Sequence, residues 1–486
     1  MLMFAMAAAS AFAQEFRPQI PKAWDDEQLH SMQLPLVGIG VPPKEAPAEY
    51  YYRIPAATVY RSYPFYLPGK EPPGYNEWLK QQEPEVVFDA AKLKSEADWI
   101  RVGEAIFTMP ALIRGQALPL PADAAFYTRN GVPVAPNGEI PFFRYVVVKK
   151  GEPLVSVTRC STCHVRVLPD GSIVMGAQGN SPFVSSARPL RRAISPPDRL
   201  PAARQLFFRW YSVQWLKPDP AASILATTAE EFADARETEV AGVVARPGTS
   251  LFAPPKTPDL IGIQDRKYLD ATGITRHRSI GDLMRHASLA AGIHFLSEAG
   301  GVLHFGERPE PPRGGRLSDE QLYAVSKYLY SLKPPPNPHQ ASELARRGEG
   351  IFKREGCAEC HTPPLYTNNQ LTPAAGFNVP PEHKQKFDVM PVSVATDPRL
   401  AMESRKATGY YRVPSLKGVW YRGPFEHNGS VATLEDWFDP SRLRDDYVPT
   451  GFKGHKVKTR AVRGHEFGLK LSGGEKKALI AFLKTL

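Results

Sequence analysis

Cys160-Ser161-Thr162-Cys163-His164 and Cys357-Ala358-Glu359-Cys360-His361 are two copies of one pattern, C-x-x-C-H, and together they use all four cysteines of the chain. This pattern is the attachment signal of a c-type haem. Two thiols two residues apart reach the two vinyl groups of one haem, and the histidine that follows lies under the ring to bind iron. Three other uses of such cysteines fit less well. Paired C-x-x-C elements that share a tetrahedral zinc usually lie about 15–20 residues apart, whereas these begin 197 residues apart. Zinc gives no reason for a histidine after both pairs, and neither do two disulfides. A dithiol redox site needs one copy in a βαβ setting. The expectation is two covalently bound c-type haems, with Cys160, Cys163, Cys357 and Cys360 as attachment points and His164 and His361 as proximal iron ligands.

Outward from the motifs the chain repeats itself. Gly103-Glu104-Ala105-Ile106-Phe107 precedes the first copy and Gly348-Glu349-Gly350-Ile351-Phe352 the second. Each ends a segment with apolar residues at helical spacing, such as Trp99, Val102, Ile106 and Phe107. The closing segments also match: LSDEQLYAVSKYLYSL at 317–332 and LSGGEKKALIAFLKTL at 471–486. Ser318 and Ser472 read as N-caps, and Glu475 completes a capping box. A helix, then C-x-x-C-H, then a closing helix is the order of cytochrome c domains, whose first and last helices cross beside the haem.

The expected fold is therefore mainly α: two cytochrome c-type haem domains at 91–333 and 340–486, a Pro-rich linker at 334–339, a Pro- and Tyr-rich extension at 14–90 wrapping around them, and minor β insertions. Only four residues separate Phe352 from Cys357 in the second copy, but 52 separate Phe107 from Cys160 in the first. That insertion includes Phe142-Phe143-Arg144-Tyr145-Val146-Val147-Val148, a strand pattern.

The 486 residues include 49 prolines, which favours long extended connections. Residues 1–13, MLMFAMAAASAFA, are apolar and end in a small-x-small pattern, so they read as a partial secretory signal, against the plainer reading of a buried helix. The chain is then expected in the periplasm or outside the cell. No internal apolar run approaches the ~20 residues of a membrane span, so an integral membrane protein is not expected. The net charge is +10. An exported chain rarely meets nucleic acid, and the basic residues are dispersed. Their densest cluster, Lys453, Lys456, Lys458, Arg460 and Arg463, is either a solvated face or a docking surface for a redox partner protein with an acidic patch.

The stretch ATGYYRVPSLKGVWYRGPFEHNGSVATLEDWF, at 407–438, resembles the bacterial di-haem cytochrome c peroxidase superfamily, through Arg412, Pro414, Ser415, Leu416, His427, Gly429, Ser430, Thr433 and Leu434. The superfamily's Leu-Arg-Asn is here Leu416-Lys417-Gly418, and its His-Asp-Gly is His427-Asn428-Gly429. The resemblance is good over 340–486, fair around the first motif and absent before residue 90. Gly464-His465-Glu466-Phe467-Gly468 and the wide spacing of the motifs look more like the latex-cleaving di-haem oxygenase branch. Conventional peroxidases place a histidine soon after the first motif, whereas none occurs here between His164 and His277.

The sixth iron position decides function, because a strong ligand makes an electron-transfer haem and an open position permits chemistry on oxygen or peroxide. At the second haem the resemblance implies His465, with Met390 and Met402 as alternatives. His427 is read as structural or haem-contacting. At the first haem Met175 is close in sequence for a distal ligand, and His277, His286, His294 and His304 offer side chains for a distal pocket. His286, His294 and Phe295 are the candidate catalytic set. The resemblance implies an aromatic guard over an open iron, for which Phe295 and Phe305 are candidates, and a tryptophan bridging the haems, for which Trp215 is chosen over Trp210. Core packing is the plainer role for both tryptophans. The expected function is a periplasmic oxidoreductase with an electron-relay haem in the second domain and a haem open to a small oxidant, peroxide or oxygen, in the first. A non-catalytic electron carrier and an electron-accepting subunit of a larger complex are the alternatives.

Overall fold

In the computed structural model, which describes residues 16–111, 120–182, 200–291, 297–303 and 315–486, two pairs of crossing helices carry the two motifs. The helix Glu96–Phe107 begins at Ser95, whose hydroxyl accepts from Asp98 N while the Asp98 carboxylate accepts from Ser95 N. It packs across the helix Asp319–Ser331, and Glu343–Arg354 packs across Gly473–Leu483. Both closing helices start with reciprocal caps, Ser318 with Gln321 and Ser472 with Glu475.

The crossings explain the repeated glycine. A Cβ on Gly103 would lie 2.1 Å from the Ala324 carbonyl oxygen, and one on Gly348 would lie 2.0 Å from that of Ala478. Only glycine lets the backbones approach so closely. The same register sets Phe107 against Tyr328 and Phe352 against Phe482, each with ring centroids 5.3 Å apart. Each crossing seals its own apolar cluster. One includes Trp99, Val102, Ile106, Leu322 and Leu329, and the other Ile351, Val431, Leu479 and Leu483. Each such side chain fully buried contributes about 1.5–3 kcal/mol.

The fold is mixed rather than mainly α: 31% of it is helical and 12% is strand, in small sheets. Much of the strand comes from the insertion before the first motif. Glu139–Val147 is the central strand of three, pairing antiparallel with Pro153–Val157 and with Ser62–Tyr66 of the N-terminal segment. Its apolar side chains Ile140, Phe142 and Phe143 are buried with Phe65 and Tyr127. The aromatic, β-branched composition that marks 142–148 in the sequence therefore belongs to a sheet whose partner strand lies some 80 positions earlier, which periodicity cannot reveal.

The N-terminal segment is built into the interior. Trp24 stacks on Tyr51 at 4.3 Å and donates its indole N–H to the Ala46 carbonyl. Tyr51 Oη lies 3.0 Å from Ser288 Oγ, and Gln321 donates to the Ala57 carbonyl. Short helices, Asp26–Met32 and Ala48–Arg53, give it more regular structure than an extended wrap. Among the described residues no helix is long and apolar enough to cross a membrane.

Candidate functional site

The first C-x-x-C-H loop is held by its own hydroxyls. Thr158 Oγ1 lies 2.6 Å from Ser161 Oγ and 2.9 Å from Thr162 Oγ1, and Thr162 donates to the Phe142 carbonyl of the central strand. The second loop is a helical turn, Cys357–Cys360, entered through Gly356 at φ +74°. No disulfide joins any of the four cysteines. Burial pushes Cys160 and Cys357 up to about 11. A reactive redox dithiol needs the opposite shift. Among the described residues no three or more His, Cys, Asp or Glu side chains converge into a metal cage, so the zinc reading finds no site.

Both motif histidines are oriented by a proline carbonyl. His164 Nδ1 lies 3.0 Å from the Pro258 oxygen, and His361 Nδ1 lies 3.1 Å from the Pro414 oxygen. A carbonyl accepts only from N–H, so Nδ1 carries the proton and Nε2 keeps its lone pair for a metal. Burial holds both imidazoles neutral, His164 down to about 3 and His361 down to about 4.

This pairing exposes a repeat that the sequence reading missed. Lys256-Thr257-Pro258-Asp259-Leu260-Ile261-Gly262-Ile263 matches Arg412-Val413-Pro414-Ser415-Leu416-Lys417-Gly418-Val419. Both glycines are left-handed, at φ +70° and +75°. The second copy stands out by its resemblance to known proteins. The first shares only the cation, Pro, Leu and Gly, and needs alignment on the proline to be seen.

Opposite His361 stands His465, with ring centroids 6.3 Å apart. Two imidazoles that share one metal, each about 2 Å from it, have centroids about 6 Å apart. The residues present thus fit an iron between them. The His465 loop is rigidly placed. His465 sits at φ +47°, a conformation that costs a non-glycine residue energy. Arg442, 1% exposed, donates to the Trp437, Val462, Gly464 and His465 carbonyls. Trp437 packs edge-on to the imidazole at 5.0 Å. Met390 instead places its sulfur 3.9 Å from Cys360 Sγ, and Met402 packs in the cluster of Leu400 and Tyr411. His427 stacks on Tyr411 at 4.4 Å, with Nδ1 3.3 Å from Glu426.

The first site is built differently. Among the described residues no ring pairs with His164. His277 has both nitrogens engaged, Nδ1 with the Arg266 carbonyl and Nε2 with Tyr330 Oη at 2.7 Å. Met175 packs at the margin of two apolar clusters. His286, on the helix Ile280–Ala290, opens onto a cavity lined also by Gln33, Glu45, Asp270, Arg405 and Lys406. Its Nδ1 lies 3.3 Å from Thr275 Oγ1 and 3.7 Å from Asp270, and Lys406 Nζ lies 3.5 Å from the other Asp270 oxygen. Burial lowers His286 to about 4, and its charged form would repel that of His164. His294, Phe295, His304 and Phe305 lie outside the described residues.

Glu45 carries no mark in the sequence, where it is one acid in a Pro-rich stretch. It accepts from Gln33 Nε2 at 2.9 Å, while its other oxygen has no partner. Burial raises its carboxyl to about 7. Trp215 donates to the Val37 carbonyl and carries the Arg405 guanidinium 5.0 Å over its ring, and Trp210 packs on Phe207. In the basic cluster near the C-terminus, Lys456 pairs with Glu231, Arg463 with Asp445, and Arg460 donates to Ser430 and Phe452.

Paired C-x-x-C-H loops with carbonyl-held histidines resemble the di-haem cytochrome c peroxidase-like superfamily, and the likeness to named relatives is at that level. The chain is 28% identical over 159 residues to the cytochrome-c peroxidase IdrP1 of Pseudomonas sp. (strain SCT), covering 29% of this chain and 39% of that protein. It is 28% identical over 156 residues to the cytochrome-c peroxidase IdrP2 of Denitromonas iodatirespirans, covering 29% and 38%. The chain thus spans about two fifths of the length of these curated relatives. No family model matches it. Among solved structures, Kuenenia stuttgartiensis hydrazine synthase overlaps 59% of this chain and 87% of its own at 18% identity, with a TM-score of 0.32. A MauG-like protein associated with microbial copper homeostasis overlaps 60% and 88% at 16% identity, with a TM-score of 0.30. Overlaps that shallow carry no argument about function.

Proposed function

We propose that this chain is an exported di-haem c-type cytochrome that acts as a peroxidase- or oxygenase-like oxidoreductase. The observation that carries the reading is the facing pair His361 and His465, set 6.3 Å apart beside a C-x-x-C-H loop. Cys357 and Cys360 would attach one haem and His361 and His465 would both hold its iron, which suits that haem to relaying electrons. Cys160, Cys163 and His164 would hold the other. The segment around His465 and the 197-residue spacing favour the latex-cleaving branch of the superfamily. Residues 1–13 and the haem-attachment pattern support a periplasmic or secreted location.

A haem iron with a free sixth position supplies redox chemistry on peroxide or oxygen. The chain's own task at the first site is to deliver protons to the oxidant. Glu45, poised near 7, can give and take a proton at neutral pH, as an efficient general acid–base must. Asp270, itself paired with Lys406, faces His286 at the same cavity, where the imidazole can orient a small polar molecule.

The test is haem stoichiometry and ligand binding in the chain matured by a c-type cytochrome assembly system. The reading expects two covalent haems per chain by pyridine haemochrome and mass, with one of them binding carbon monoxide when reduced. Two haems that both ignore carbon monoxide would leave an electron carrier, and a chain without covalent haem would sink the reading.

A further inference from the structure

The repeat around the two proline carbonyls extends to eleven residues. Arg266 follows Pro258 by eight positions, and Arg422 follows Pro414 by eight. Each copy therefore reads cation-x-Pro-x-Leu-x-Gly-x-x-x-Arg, with Lys256 or Arg412 at its head. The contacts repeat as well. Arg266 Nη2 donates to the Asp259 carbonyl at 2.5 Å, and Arg422 Nη2 to the Ser415 carbonyl at 2.8 Å. In both copies the arginine is pinned by the residue directly after the proline that orients the motif histidine.

The four cations form one cluster. Burial lowers both Arg412 and Lys256 most, and the like charges of Arg266 and Arg422 at Arg412, and of Arg422 and Arg412 at Lys256, lower them further. The cluster also reaches both motifs, since Arg266 and Arg422 are held by the residues directly after Pro258 and Pro414, whose carbonyls hold His164 and His361. Among the described residues no carboxylate stands in ion-pair contact with any of the four. Arg266 Nη1, Arg412 Nε and Arg422 Nε are buried without a hydrogen-bond partner. Asp259, inside the first copy, is the one buried acid left to answer them: its charge is felt at Lys256, Arg266 and Arg412 and its Oδ2 has no hydrogen-bond partner, so a single carboxylate stands against four cations. Of the other acids whose charge is felt there, Asp270 is engaged by Lys406, Glu426 by His427, and Asp265 is exposed. Enclosed like charges with idle donors are costly unless an anion answers them, and guanidinium donors match carboxylates in fork geometry.

We infer that Lys256, Arg266, Arg412 and Arg422 are one shared clamp for the propionate carboxylates of both haems. The inference rests on the di-haem reading above and deepens it. Each copy of the repeat would orient a proximal histidine through its proline carbonyl and grip a haem carboxylate through its two cations. Because the copies adjoin, with Lys256 N donating to the His427 carbonyl and Arg412 N to the Ala271 carbonyl, the charge of either would act on both irons. The clamp is thus an electrostatic link between the relay site and the open site.

The test is a spectroelectrochemical titration of the holoprotein and of Lys256→Met and Lys256→Arg. Removing a cation favours the more positive, oxidised iron, so Lys256→Met should lower the midpoint potential at both sites, and Lys256→Arg should keep both near the parent values. Should Lys256→Met fail to fold, Lys256→Gln takes its place. A shift confined to the first site would overturn sharing, and no shift at either would overturn the clamp. A parent protein with no haem would instead count against the di-haem reading, so the two failures are distinguishable.

Discussion

The two halves of the molecule share one plan and differ on one side of the motif histidine. Both have a glycine crossing, a C-x-x-C-H loop and a proline carbonyl on Nδ1. In the second half the opposite side is filled by His465, on a loop that Arg442 ties down through four carbonyls. In the first half a cavity is lined by Asp270 and His286, with Glu45 from the N-terminal segment and Arg405 and Lys406 from the second half completing its wall. On the di-haem reading, a duplicated scaffold would keep the parts that hold a haem and vary what stands opposite the motif histidine.

The largest expected effects test the shared plan. Replacing Cys357 and Cys360 together by alanine should halve covalent haem by pyridine haemochrome, and replacing Cys160 and Cys163 should do the same. An unchanged haem content in either variant would show that the motif does not attach one. Next comes the crossing. Gly348→Val drives a side chain into the Ala478 carbonyl and should cost about 3 kcal/mol in denaturant unfolding. Gly350→Ala lies on the same helix with nothing within 4 Å, and should stabilise by up to about 1 kcal/mol. Equal effects from the two would mean that the helices do not cross at Gly348.

Smaller changes sharpen the contrast between the halves. His465→Ala should turn a low-spin haem signal into a high-spin one that binds carbon monoxide, whereas His286→Ala should leave that signal alone. Glu45→Gln should act through pH. The Glu45 carboxyl is raised in the fold from 4.5 to about 7, so the folded chain holds this proton more tightly than the unfolded chain. Stability from this group is intact below about 4.5 and is lost as pH rises toward 7. Relative to the parent, Glu45→Gln should therefore be neutral at pH 4 and more stable at pH 8, by on the order of 3 kcal/mol at most. Parallel stability curves for the two proteins would contradict the raised value.

What could be read from the sequence follows from which signals are local. Gly103 and Gly348 are visible because the Gly-Glu-x-Ile-Phe repeat marks them, and helix caps at Ser318 and Ser472 need only three residues of context. The pairing of Ser62–Tyr66 with Glu139–Val147 is a long-range event with no such mark. Glu45 owes its character wholly to burial beside Gln33, so its neighbours in the chain say nothing of it. Lys256 and Arg266 carry a pattern, but one so diluted that it becomes legible only when Pro258 is seen to do for His164 what Pro414 does for His361.

The most direct test of the central claim is electron paramagnetic resonance of the oxidised protein, paired with optical spectra of the reduced protein with and without carbon monoxide. The account predicts two haem signals, one low-spin signal that ignores added ligands and disappears in His465→Ala, and one that responds to them. Two low-spin signals, both indifferent to ligands and both surviving His465→Ala, would contradict it.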